Sequence, residues 1–330
     1  MTKYKFDWKS SDSAPRNYPM EILAGNLIYP EGGSLYVPDK SDISHGWGEL
    51  GSSHIVGPDL KPLPNKLGIS FFSYTENQFY GGRFDLPYDK IVQLFNEGYY
   101  SPNEGGHVTY SRILVGVAPG GAVAVWLIGL DKTTEVFFGH AAKEEGNWRS
   151  VSRNPEQTYT REQYVQRRIE DALKTPEALE ALRKNGVPIG LWDSYRTRYR
   201  WQPKFTGMEV RAGGVDSVDY FNGEKDYIAY PIKEPDTTTR VVPKQLRFIW
   251  AQTKVSGLKF KLYFDEAEIF AAFKTLGSHN ELVQLDMRMD PIPSDPKGTL
   301  RFSIWLRNDT DKIQLKKTNF ETFGVQDLKN

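Results

Sequence analysis

The sequence predicts an α+β protein in which an antiparallel-sheet unit with one packed helix occurs twice, the two copies joined by a partly helical linker. Three observations predict it. Short runs alternate apolar and polar residues with period two, the pattern of half-buried strands. Each half carries one segment with helix start and stop signals. The segments of the first half also return in the same order in the second. The copies are read at residues 1–143 and 207–330 with a connector at 144–206, and 330 residues are enough for two hydrophobic cores.

The opening strand Met20–Gly25 (MEILAG) is matched by Met208–Gly213 (MEVRAG), each leading to a glycine turn, Glu31–Gly33 or Asn222–Gly223. Next, Leu67–Tyr74 corresponds to Leu246–Gln252, and Gln78–Phe84 to Gly257–Phe264, where Leu258, Phe260, Leu262 and Phe264 alternate with Lys259 and Lys261. A helix follows in each copy. In the first, Pro87 suits an opening turn, Ile91, Val92, Leu94 and Phe95 make the apolar face, and Gly98 stops it. In the second, Asp265 caps, Glu268 closes a capping box, Ile269, Phe270, Phe273 and Leu276 make the face, and Gly277 ends it.

After each helix comes a strand pair, Ser111–Val117 with Ala122–Ile128 and Glu281–Met289 with Thr299–Arg307, which puts Trp126 and Trp305 at matching places. Glu135–His140 and Lys312–Lys317 complete the units. The short connections favour antiparallel neighbours throughout. The uncharged stretch Ile113–Leu130 approaches the roughly 20 residues of a membrane-spanning helix. Pro119, Gly120 and Gly121 interrupt it, and its counterpart is polar at every other position, so it reads as a hairpin with no transmembrane span. In the connector, Thr160 with Gln163 opens one helix, Thr175 and Pro176 open another, and Gly186 ends it.

Acidic and basic residues number 42 each and the pI is near 7.0, which offers no basic excess to neutralise phosphates and argues against a nucleic-acid partner. The absence of cysteine removes disulfides, thiolate nucleophiles and iron–sulfur clusters. No phosphate-binding glycine–lysine loop, His-Glu-x-x-His helix or Gly-x-Ser-x-Gly elbow occurs. His45, His54, His107, His140 and His279 are scattered singly. The close pair, His45 and His54, flanks Trp47 in a loop-like segment and reads as solvated rather than metal-binding. Asn308–Asp311 reads as a hairpin turn, not a calcium loop. The expectation is therefore a protein without metal, cofactor or catalytic residues, in which no histidine meets a serine or carboxylate in a deep polar pocket.

Two segments lack a counterpart in the other copy and are the expected partner-binding surfaces. In Pro38–Pro64 the candidates are His45, Trp47, Glu49 and His54; in Gly190–Pro203 they are Trp192, Tyr195, Arg196, Arg198, Tyr199, Arg200 and Trp201. Trp, Tyr and Arg are the residues enriched in interface hot spots. The alternative makes the first segment a disordered excursion. In the second, it makes Trp192, Tyr195 and Tyr199 one helical face that docks the linker, while the arginines pair with carboxylates.

Four segments in order, FFSYTENQFYGGRFDLPYDKI at Phe71–Ile91, VGVAPGG at Val115–Gly121, GVPIGLWDSY at Gly186–Tyr195 and FDEAEIFAAF at Phe264–Phe273, resemble the bacterial domain of unknown function 2931 family over most of the chain. The resemblance brings no catalytic residue. It implies a lipoprotein of a kind found with type VI secretion genes, where such proteins act as immunity proteins against phospholipase toxins. The expected function is thus non-enzymatic, immunity-like binding and neutralisation of a cognate secreted lipase or phospholipase toxin. The expected location is the periplasm or a membrane reached by a lipid anchor. The sequence opens without a signal or lipid-bearing cysteine, which fits a processed mature form or a cytoplasmic relative. The alternatives are a cell-envelope hydrolase, whose fold brings a carboxylate to a histidine, and a glycan-binding or scaffold lipoprotein using exposed Trp and Tyr.

Overall fold

A computed structural model describes residues 4–39, 43–53, 56–152, 158–207, 215–229, 238–251, 256–277, 281–291 and 300–326. The expected strand Met208–Gly213 and the residues His54 and His279 lie outside them. The chain divides into two compact units, residues 1–194 with the turn Asn222–Glu224, and residues 195–221 with 225–330. The division does not set apart a connector at 144–206: its helices belong to the first unit and its last strand to the second.

In chain order the first unit contains β1 (Lys5–Asp7), β2 (Lys9–Ser13), β3 (Met20–Ile28), β4 (Ser34–Tyr36), β5 (Leu60–Pro62), β6 (Lys66–Ser73), β7 (Gln78–Asp85), α1 (Tyr88–Glu97), β8 (Tyr99–Ser101), β9 (Gly106–Val108), β10 (Arg112–Ala118), β11 (Ala122–Ile128), β12 (Thr133–His140) and β13 (Ala142–Glu144). Helices α2 (Arg149–Ser152), α3 (Arg161–Ala172), α4 (Pro176–Asn185) and α5 (Leu191–Ser194) follow. One sheet runs β2, β10, β11, β12 and the other β13, β7, β6, β3, β4. A single core joins Ile113, Val115, Val117, Val123, Val125 and Leu127 of the first sheet to Ile22, Leu27, Leu67, Ile69 and Phe71 of the second, with Ile91 and Phe95 of α1. Trp126 and the rest of β11 are buried on both faces, which is why Ile113–Leu130 reads as a continuous apolar run. The hairpin turns through Pro119–Gly121, with Gly120 and Gly121 at positive φ, and no helix of the described residues is long and apolar enough to cross a membrane.

The second unit contains β14 (Arg198–Gly207), β15 (Val215–Tyr220), β16 (Lys225–Ile228), β17 (Thr239–Val241), β18 (Pro243–Ala251), β19 (Ser256–Tyr263), α6 (Glu266–Leu276), β20 (Val283–Pro291), β21 (Leu300–Arg307), β22 (Lys312–Gln314) and β23 (Asn319–Gln326). Its strands pair as β17, β14, β20, β21, β22 and as β16, β15, β18, β19, β23. Trp201, Phe205, Leu285, Met287 and Ile304 meet Leu246, Phe248, Phe260 and Leu262 in its core, and α6 adds Ile269, Phe273 and Leu276. The turn at Asn308 is a hairpin turn, with Asn308 Oδ1 accepting from Thr310 and Asp311 N–H.

The α+β class holds, with two departures. Each unit contains one parallel pair: β2 runs parallel to β10 and β14 parallel to β20. Both partners lie far apart along the chain. Moreover β2, KSSDS, has no apolar alternation, so local patterning does not reveal it. Trp192, Tyr195 and Tyr199 also do not form one helical face: α5 ends at Ser194, before Tyr195, and β14 takes over at Arg198. Arginine at every second position, 196, 198 and 200, is the strand signal there.

Helix termini follow the sequence closely. Thr160 and Gln163 close a reciprocal capping box on α3, Thr175 accepts from Ala178 N–H on α4 with Pro176 in the first turn, and Gly98 and Gly186 end α1 and α4 at positive φ. Asp265 caps α6 by accepting from Glu268 N–H, but the Glu268 carboxylate takes the Lys316 and Lys317 N–H groups instead of closing the box.

Helix α3 packs within the first unit. Val165 joins Phe72, Tyr74, Phe79 and Val151 in a satellite core. The Arg161 guanidinium lies over the Phe72 and Phe79 rings and donates to the side chain and carbonyl of Asn77 at 2.6 and 2.7 Å. Beside it the Tyr74 hydroxyl donates to the fully buried Glu21 carboxylate. Burial and that carboxylate push the Tyr74 phenol far above its ordinary value, so it remains the donor. Tyr74→Phe takes a donor from a buried charge and is expected to cost about 1–3 kcal/mol. Urea denaturation should show a lower midpoint with unchanged far-ultraviolet circular dichroism.

Candidate functional site

The polar strand β2 creates the most built surface feature of the first unit. It is the edge of its sheet, and Ser10 through Ser13 are all buried. Buried hydroxyls and carboxylates need partners. Residues 43–53, in the middle of the expected binding insertion, supply them for Ser11, Asp12 Oδ1 and Ser13. Ser11 Oγ donates to the Ser52 carbonyl at 2.7 Å, Ser13 Oγ donates to the Gly46 carbonyl at 2.8 Å and accepts from Gly48 N–H at 3.1 Å, and Asp12 Oδ1 accepts from Ser52 N–H at 2.8 Å. Backbone bonds from Gly46 N–H to Ala14 O and from Gly51 N–H to Asp12 O complete the clamp. The loop thus covers an exposed sheet edge, and its described part is anchored rather than a disordered excursion.

Trp47 is the plug of this loop. Its ring packs edge-on against Trp126 at 4.9 Å and lies 6.4 Å from Trp192, which in turn meets Tyr18 edge-on at 5.6 Å. Trp126 Nε1 donates to the Asn222 carbonyl within the same unit. Glycine is required beneath the plug: a Cβ on Gly116 would sit 2.5 Å from the Trp126 ring and 3.1 Å from that of Trp47. A Cβ on Gly51 would come within 2.6 Å of the Asp12 carbonyl and carboxylate. What the loop offers outward is a rim of His45, Glu49 and Leu50, with Arg16 beside it donating to the His45 carbonyl at 3.0 Å.

The expected anchors therefore separate by depth. Trp47, Trp192, Tyr195 and Trp201 are buried and offer no surface to a partner. Trp192 packs in the first unit. In the second, the Tyr195 hydroxyl donates to Glu266 at 2.8 Å with its ring against Phe221 and Phe270, and Trp201 Nε1 donates to the Val241 carbonyl at 3.0 Å. Tyr199, half-buried against Phe273, has its phenol pushed up by burial. Arg196 and Arg200 are half-buried, and Arg198 is exposed, reaching the Thr239 carbonyl. Of the expected site residues, His45 and Glu49 stand together at the surface of one loop; Leu50 and Arg16 join them, the first announced only by its position in the insertion, the second by no sequence signal.

Among the described residues, acid–base chemistry has one exposed histidine–carboxylate pair as a candidate. His140 Nε2 lies 3.2 Å from the Asp193 carboxylate, both side chains nearly half exposed. His107 Nε2 contacts the Glu97 carbonyl at 2.7 Å on the surface. Among the described residues no three His, Asp or Glu side chains are grouped to hold a metal ion.

The family described as proteins of unknown function (DUF2931) matches residues 1–190, nearly the whole first unit and not the Phe264–Phe273 segment. No curated protein and no solved structure matches the chain.

Depth also predicts energetics. Trp47→Ala leaves a large cavity against Trp126 and is expected to destabilise by about 3–5 kcal/mol, whereas exposed Leu50→Ala should change stability by no more than about 0.5 kcal/mol. Urea unfolding of the two variants checks the contrast.

Proposed function

Because the chain belongs to the DUF2931 family of proteins of unknown function, we propose that it is a non-enzymatic, immunity-like protein that neutralises a secreted bacterial toxin, a lipase or phospholipase effector of type VI secretion, through the clamped loop 43–53. The observation that carries this reading is the clamp itself. Four hydrogen bonds to the buried side chains of Ser11, Asp12 and Ser13 and a tryptophan plug hold a surface loop in one conformation before any partner arrives. Pre-organisation of this kind lowers the ordering cost that otherwise weakens binding. The exposed rim, an arginine, a histidine, a glutamate and a leucine, is a mixed polar and apolar patch suited to a protein surface. The toxin's class comes from the family resemblance. The same reading places the protein in the periplasm or on a membrane through a lipid anchor, with the cytoplasm as the alternative.

We also infer that the two units are copies of one domain. Support comes from the pairing order. In each unit a strand lies parallel to a strand that follows the helix, directly in the second unit and after the short β8 and β9 in the first, two antiparallel strands come next, and the second sheet places its first strand between the second and third, the fourth next, and the last strand of the unit at the edge. Helices α1 and α6 occupy the same place in that order, with Ile91 and Phe95 buried in one and Ile269 and Phe273 in the other.

Co-expression with a lipase toxin encoded beside its gene tests the function. The parent should restore growth. A Glu49→Arg, Leu50→Asp variant, whose thermal melt should match the parent, should protect poorly and bind at least about thirtyfold more weakly, the loss of about 2 kcal/mol typical of an anchor. Full protection by the variant would remove the loop from the interface, and toxicity undiminished by the parent would remove the immunity reading.

A further inference from the structure

The outward face of β20, β21 and β22 in the second unit forms an open groove of about 470 Å³ lined by charged side chains. Its position in the domain is what makes the groove informative. Aligning Trp126 with Trp305, the β10–β11 and β20–β21 registers set Leu114 against Asp286 and Gly116 against Arg288. In the first unit this face is apolar and small-residued because Trp47, with Trp192 packed beside it, covers it. In the second unit it is charged and, among the described residues, uncovered, with Trp305 half-buried at its centre.

The charges do not balance. Asp286, almost fully buried, accepts from Thr206 Oγ1 at 2.7 Å and lies 3.7 Å from Arg307 Nε. Asp290 receives Arg288 Nε at 2.8 Å. Each carboxylate thus has its own arginine. Two further cations remain: Arg301, set opposite Asp290 in the strand register and acting on that carboxylate by charge alone, with no hydrogen bond or salt bridge among the described residues, and Lys312, whose ammonium rests 5.2 Å above the Trp305 ring. The groove has a surplus of two positive charges in a chain whose formal net charge is zero.

We propose that this groove is a second binding site, separate from loop 43–53, and that it takes an extended acidic segment of a partner protein. Such a segment presents alternate side chains to one side, so carboxylates at every second residue face the groove together. One partner carboxylate on Arg301 and a second on Lys312 satisfy the surplus, and the pre-formed Arg288–Asp290 and Arg307–Asp286 pairs hold the remaining side chains in place. The Trp305 face supplies apolar contact between the two cations.

Fluorescence anisotropy with the full chain and a labelled peptide, glutamate alternating with serine, tests the assignment. The peptide should bind, more weakly as salt rises, and a lysine–serine peptide should not. Arg301→Glu with Lys312→Glu should weaken binding at least about tenfold, Arg301→Gln with Lys312→Gln by less, and Arg301→Lys least, with all three variants melting like the parent. Absence of peptide binding, or equal binding by the charge-reversed chain, overturns the site. Displacement of the peptide by millimolar inorganic phosphate, or equally tight binding of a DNA oligonucleotide that the same reversal abolishes, overturns the assignment to an acidic peptide in favour of a general anion site.

Discussion

The first unit rests on covering a hairpin that is apolar on both faces. Strands β10 and β11 give one face to the core shared with the second sheet and α1, and the other cannot be left to water. Trp47, with Trp192 packed beside it, closes it, and the loop that carries Trp47 is held in turn by the serines and aspartate of β2. Each part of the arrangement needs the others. The tryptophan plug needs Gly116 beneath it, the loop needs Gly51 against Asp12, and the buried polar atoms of β2 need the loop backbone.

This coupling explains why a polar strand sits inside an apolar architecture. Hydrogen bonds to a buried strand edge fix register and position, whereas apolar burial alone is non-directional. A loop fixed in both ways offers its rim in a constant geometry. The rim is exposed because the same residues that anchor the loop, Ser13, Asp12 and Trp47, point inward and leave His45, Glu49 and Leu50 on the other side. Anchoring of the loop and the exposed rim are therefore supplied by different residues, the former by Trp47 together with Asp12 and Ser13 of β2.

The second unit solves the corresponding problem by changing chemistry instead of adding cover. Where β10 and β11 carry Leu114, Gly116 and Ala124, β20 and β21 carry Asp286, Arg288 and Ser303 at the aligned positions, and the face tolerates water. Trp305 remains at the place of Trp126, but its Nε1 donates to the Ser303 hydroxyl and its ring carries a lysine in place of a second indole. If the two units are copies of one domain, as inferred above, one strand arrangement supports a closed apolar face or, among the described residues, an open charged one, depending on a handful of outward side chains.

The sequence by itself determined what depends on near neighbours. Period-two runs located β6, β7, β18 and β19, the Pro119–Gly121 break located the β10–β11 hairpin, and the capping residues Thr160, Thr175 and Asp265 located helix starts, because alternation, turns and caps are set within a few residues. The candidate loop was legible as an unmatched insertion holding His45, Trp47 and Glu49. Only the tertiary structure decided which of those side chains face outward. Composition marks Trp47, Trp192, Tyr195 and Trp201 as strong contact residues, and it cannot distinguish contact with a partner from contact with the chain's own core. Parallel pairing of β2 and β14 was likewise settled by distant partners, and the Glu268 carboxylate by two backbone amides that local spacing does not bring near. Local pattern reports that a residue needs burial or a hydrogen bond; the folded chain decides which atoms provide it.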